Sequence, residues 1–300
     1  ASDGTKEERL EAHLELGRCH LDLLEDPLRA RAEFEKAIRM DEEFSPAWLG
    51  LARAHLFNGE AQRALTALGR TEALLGRGDE KGVSAALVHV KQGQALQALG
   101  KPGEAAQSIQ KALVEAPQDP EVLETATAVY EELERWDDLA EVLRRRAERR
   151  DRPVKERLGL YGRLVKIEAF KREDMGAAKL ALDEALILSS EDVEILNLAA
   201  RIAETTDNKR ELIDYLSRLL EVEGDEDKQA EILVKRARLL VSDGNENEAL
   251  IEELERVVED GGERSLSALD VLASIHRKRG DKERLARCLE RWMEGLQGKE

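Results

Sequence analysis

The chain has 300 residues, of which 37% are charged, 42% hydrophobic and only 3% aromatic, with a formal net charge of −17. The hydrophobic share suffices to fill a continuous seam between helices, which excludes a disordered chain in spite of the charge. The acidic excess is spread over both halves and argues against nucleic acid as a partner, because a phosphate backbone is held by neutralising it with Lys and Arg. Leu, Ala, Glu, Arg and Lys dominate, as in chains that are nearly all helix. No run approaches the length of a membrane span and no signal peptide is visible, so no membrane insertion is expected and the cytoplasm is the default compartment. Cys19 and Cys288 stand near opposite ends, where no internal disulfide is expected.

In chain order, apolar residues fall at three- and four-residue spacing between proline and glycine punctuation. The pattern predicts eight helix pairs, over residues 9–43, 45–78, 84–118, 120–151, 154–190, 192–224, 226–261 and 265–296. Pro27, Pro46, Pro102, Pro117, Pro120 and Pro153 all fall at expected helix starts or turns. Asn58-Gly59, Gly100 to Gly103, Asp243 to Asn245 and Gly280-Asp281 read as tight loops inside pairs. Equivalent positions, from Ala37 and Thr71 through Ala112 and Arg146 to Ala185, Leu219, Val257 and Trp292, recur every 34 to 41 residues. The longer intervals are absorbed by loops at Gly76–Gly82 and Lys171–Asp174, since closure entropy grows only with the logarithm of length. Nothing alternates like a strand. A repeat of this period predicts an all-α, right-handed helical-repeat solenoid of about eight antiparallel pairs, forming one domain over residues 1–300.

Within the copies a small–x3–large–x2–small triplet recurs. Ala105, Ile109 and Ala112 form it in the third copy, preceded by His89, Gly93, Leu96 and Gly100 and followed by Pro117. The first copy has Gly17, Ala30, Phe34 and Ala37; the second has Trp48, Leu51, Ala52, Gly59 and Ala64; the fourth keeps Tyr130. These residues resemble the tetratricopeptide repeat family over almost the whole chain, with leucine replacing small residues in the second half. Small residues let helices approach, and the large one fills the neighbouring gap.

Chemistry is sparse. His13, His20, His55, His89 and His276 all fall at packing positions, and no Cys/His spacing supports a metal. There is no zinc-protease motif, nucleophile elbow or phosphate loop, so neither an enzyme nor a cofactor is expected. The run Arg144, Arg145, Arg146, Arg149 and Arg150 reads as a solvated helix end.

The resemblance implies that the first helix of each pair lines a concave groove, and that the residue after the small packing position faces it. That position holds Arg18, Arg53, Gln94, Ala128, Lys166, Arg201, Arg238 and Ser274. Four residues earlier stand Leu14, Leu49, Val90, Glu124, Gly162, Asn197, Val234 and Asp270. A basic row in an acidic chain implies a protein or peptide partner with carboxylates, which an Arg fork grips in a bidentate manner. Asn197 and Arg201 match only part of the carboxylate clamp that some family members use on chaperone tails, so no chaperone partner is assigned. The expected function is a non-enzymatic scaffold for protein–protein interaction. The alternative is a regulatory or sensory arm of a larger protein, motivated by a last helix whose Leu285, Leu289 and Trp292 carry no polar cover and offer a route to self-association.

Overall fold

The computed structural model describes residues 5–78, 82–260 and 263–297. The expected pairs are all present. In the first half they are α1 (Lys6–Arg18) with α2 (Pro27–Met40), α3 (Ser45–Phe57) with α4 (Ala61–Leu75), α5 (Ala85–Ala98) with α6 (Pro102–Glu115), and α7 (Pro120–Glu132) with α8 (Trp136–Glu148). In the second they are α9 (Val154–Phe170) with α10 (Met175–Leu188), α11 (Val193–Thr205) with α12 (Lys209–Val222), α13 (Glu226–Ser242) with α14 (Glu248–Asp260), and α15 (Glu263–Arg279) with α16 (Lys282–Gln297). No strand occurs among the described residues, and the fold is an all-α helical-repeat solenoid. The helices group into two compact units, residues 1–150 and 151–300. Residues 79–81, inside the loop expected between Gly76 and Gly82, lie outside the described residues.

Local chemistry sets the helix ends. Thr5 and Glu8 form a reciprocal capping box on α1, with bonds of 3.2 and 2.7 Å. Asp26, Asp119, Asp174, Asp192, Asn208 and Asp225 accept from the free N–H groups of the helices that follow them. Pro27, Pro46, Pro102 and Pro120 sit in first turns, where a missing N–H costs nothing. Each of the eight turns inside a pair carries one left-handed residue. Gly59, Gly100, Gly244 and Gly280 serve four of them, and Glu25, Glu134, Glu173 and Asp207 serve the rest. After Arg18 the first helix widens into a π-type turn over Cys19–Leu23, a feature the hydrophobic pattern does not announce.

Packing follows the small–large–small triplet. A Cβ on Gly17 or on Gly50 would fall 2.5 Å from Phe34 Cε1, so two first helices close on one ring from either side. Gly93 stands in the same relation to Ile109, at 2.7 Å. First helices touch first helices: α1 packs on α3, α3 on α5, α5 on α7, α9 on α11 and α13 on α15. Second helices pack instead against the flanking first helices, and no comparable contact joins one second helix to the next within a unit. Within each unit the first helices therefore form the tighter face and the second helices fan apart.

Candidate functional site

The tight face carries the basic row, and the structure shows what holds it. Arg53 Nη2 lies 2.7 Å from Asp22 Oδ1, a carboxylate presented by the widened turn after α1. Gln94 donates to Thr125 Oγ1 at 3.1 Å, while its neighbour Lys91 is ion-paired with Glu121. Arg238 approaches Asp270 at 3.6 Å, and Lys235 meets Glu204 at 2.8 Å. Each pair joins one first helix, or the turn beyond it, to the next repeat. Much of the row is thus a zipper of alternating charge rather than an open positive strip. Arg18 is held within its own helix by Glu15 at 2.7 Å.

Two cations of the row differ. Arg201 places its guanidinium 4.8 Å from the centroid of the Phe170 ring, and Lys166 stands one turn before that ring on α9. Both are exposed and neither faces a carboxylate among the described residues. Asn197, also exposed, donates one N–H to Val193 O at 2.8 Å and keeps its other amide groups open.

Leu14, Leu49 and Val90, expected to line the groove, are core instead. Leu14 and Leu49 belong to the cluster around Phe34, and Val90 packs with Ala112 and Val122. Four residues turn a helix by 400°, so a position four earlier is rotated by roughly 40°, here into the interface between helices. Among the exposed apolar side chains of the first unit, Phe57, 57% exposed, borders with Leu21 and Leu56 a groove of about 350 Å³ shared with Arg53, Lys91 and Gln94. Phe57 and Phe170 lie four residues after Arg53 and Lys166, a helical spacing that could have flagged both. In the second unit, taken by itself, a groove of about 530 Å³ runs past Val234, Lys235, Arg238 and Arg264.

The histidines pack, and three also find acids. His55 Nδ1 lies 2.6 Å from Glu60, His13 Nδ1 2.7 Å from Glu33, and His89 Nε2 3.3 Å from Glu72. Burial pushes the Glu33 carboxyl up, but hydrogen bonds from Lys36 and His13 outweigh it and hold it below the usual range. The Gln92 amide, with help from His89, does the same for Glu72 against its partial burial. His276 is buried with no hydrogen bond to Nδ1, and desolvation pulls it below its ordinary value. Among the described residues no three His, Cys, Asp or Glu side chains gather as metal ligands. Both cysteines are free thiols. In the arginine run Arg146 reaches Thr127 at 2.8 Å, while Arg145 with Glu141 at 2.9 Å and Arg149 with Gln118 O at 3.1 Å form surface contacts and Arg150 stays exposed. No described helix is long and apolar enough to cross a membrane.

Paired antiparallel helices, glycines closed on a large side chain and a face built from first helices define a helical-repeat protein. Family models described as tetratricopeptide repeat match residues 24–79 and 268–299. These two stretches are similar to tetratricopeptide repeats, a family that generally serves protein–protein interaction. No curated protein matches the chain in sequence. Among solved structures it is similar to a chain of the APC/C hetero-tetramer Cut9-Hcn1, at 21% identity and TM-score 0.44 over 77% of this chain, which spans only 43% of that one. It is also similar to YrrB, a repeat protein described as having an unusual peptide-binding site, at 15% identity and TM-score 0.46 over 65% of this chain and 97% of the other. A tetratricopeptide repeat protein from Parabacteroides merdae is similar at 14% identity and TM-score 0.44, covering 95% and 99% of the two chains.

Proposed function

We propose that the chain is a non-enzymatic scaffold that holds an acidic segment of another protein against the face of its first helices, with Lys166, Asn197 and Arg201 as the anchor. One observation carries this reading: among the described residues Lys166 and Arg201 have no carboxylate partner, whereas Arg53, Lys91, Lys235 and Arg238 do. A ligand carboxylate meeting Arg201 has no internal acid to displace. The Phe170 ring fixes the guanidinium plane while its edge stays open to a bidentate bond. The exposed Phe170 ring beside Arg201 also offers contact to an apolar side chain of the segment.

Affinity capture from the native host, followed by mapping of the bound segment, supplies the ligand. Lys166→Glu with Arg201→Glu should then weaken its binding at least tenfold, and Arg53→Glu alone should do much less because Asp22 already matches that charge. Binding should also fall with salt, since exposed charges are screened over about 8–10 Å at physiological ionic strength. Equal affinity for the doubly reversed protein would reduce the row to a solvated face.

A further inference from the structure

We propose that the cleft between α12 and α14, floored by α13, is a second docking site that takes a basic amphipathic segment of a partner protein. It lies on the side of the second helices, away from the face assigned above. α13 turns Lys235 and Arg238 toward that face and Leu233 and Arg236 toward the cleft.

The cleft has a local cause. Most turns inside pairs span three residues, such as 58–60 and 133–135, whereas residues 243–247 link α13 to α14. With that longer link, α14 leans more on α15 than on its own pair partner α13. A cavity of about 700 Å³ is left between the second helices. That is within the roughly 300–1,000 Å³ range of sites that bury a ligand.

The floor is apolar: Leu233 and Val257 are buried, and Leu220 and Ala230 pack half-buried beside them. The rim is acidic. Arg236 is matched by Glu253 at 2.5 Å, which cancels both charges. Glu221, Glu226 and Asp260 remain, all exposed, with no cation paired to them among the described residues, against Arg256 alone. Glu223, Asp225 and Glu259 lie beside them in sequence and deepen the negative field. An acidic segment would meet repulsion here. A helix with apolar residues at i, i+3 and i+4 and Lys or Arg at their flanks would seat the first set on the floor and pair the second with the rim.

The test uses a fluorescent Leu/Lys amphipathic peptide, its Leu/Glu twin and a Ser/Lys twin, titrated by anisotropy against the full chain. The Leu/Lys peptide should bind and both twins should not. Glu221→Lys with Glu226→Lys and Asp260→Lys should weaken it at least tenfold. The same charge change at Glu7, Glu11 and Glu42, exposed acids of the first unit, should shift it less than twofold. Ala230→Trp, which fills the floor without altering charge, should also block it, with helicity followed by circular dichroism. Equal weakening by both triple reversals, undiminished binding to a helical Ala230→Trp protein, or no binding of the Leu/Lys peptide at all would overturn the proposal. Lys166→Glu with Arg201→Glu should leave this peptide bound, which keeps the two sites distinguishable.

Discussion

The first three helix pairs and the last three solve the same packing problem with different side chains. In α2, α4 and α6 the triplet facing the first helices is Ala30–Phe34–Ala37, Ala64–Leu68–Thr71 and Ala105–Ile109–Ala112, all fully buried. In α12, α14 and α16 the same positions hold Leu212–Leu216–Leu219, Leu250–Leu254–Val257 and Leu285–Leu289–Trp292, the last residue 37% exposed. Small residues beside one large one interlock, whereas leucine at every position supplies volume with less shape complementarity. Grooves occur in both units, one of about 350 Å³ in the first and others of about 320, 530 and 700 Å³ in the second. Small residues around one large side chain characterise the triplets of the first region, and leucine-filled triplets those of the last.

The sharpest way to break this contrast is to overfill the tight region. Gly50→Val places new carbons where Phe34 already sits, 2.5 Å from the position of a Cβ. Stability measured by urea unfolding should fall by about 1–3 kcal/mol, the usual range for overpacking a filled core. An unchanged midpoint would show that the ring is not clamped and that the two regions pack alike.

Acid should separate the units next. His276 in the second unit is held below its ordinary value of 6.5, chiefly by burial, with Arg284 and Arg279 adding and Asp281 opposing. The unfolded chain therefore binds that proton more readily than the folded one. Its contribution is complete above pH 6.5 and declines as pH falls below that value. In the first unit Glu33 and Glu72 are held below 4.5, so their contribution persists to lower pH and is lost only beneath that value. Thermal unfolding from pH 7.5 to 4 should show an upper-window loss that His276→Phe removes. The same slope in both proteins would place the acid sensitivity elsewhere.

The smallest effect is expected at Gly162, which lies with Gly159 on the first helix α9 of the second unit. A Cβ there would meet only Ile195 Cδ1, at an ordinary 3.6 Å. Gly162→Ala should leave packing intact and stabilise by about 0.5–1 kcal/mol, the backbone-entropy gain of replacing a helical glycine. A loss comparable to that of Gly50→Val would erase the difference between the regions.

Helix positions were legible in the sequence because their signals are local. Asp26, Asp119 and Asp192 cap the helix beside them, Pro27 and Pro120 open one, and the recurrence every 34 to 41 residues sets Phe34, Leu68 and Ile109 in register without reference to anything distant. Even so, only half the turns carry a glycine that announces the left-handed position. Gly59 and Gly100 were readable as left-handed positions, but Glu25, Glu134, Glu173 and Asp207 adopt that conformation because the helices on either side require it. The row Arg18 to Arg238 was also readable, as a list of charges. Which of them are free was not. Arg53 with Asp22 and Lys235 with Glu204 are joined across some thirty residues, and whether two such groups meet depends on how neighbouring helices are rotated against each other. The same rotation buries Leu14, Leu49 and Val90 and leaves Asn197 in solvent at the equivalent position. Periodicity determines that a helix has an inner face; only the packing of the next helix decides where that face ends and open surface begins.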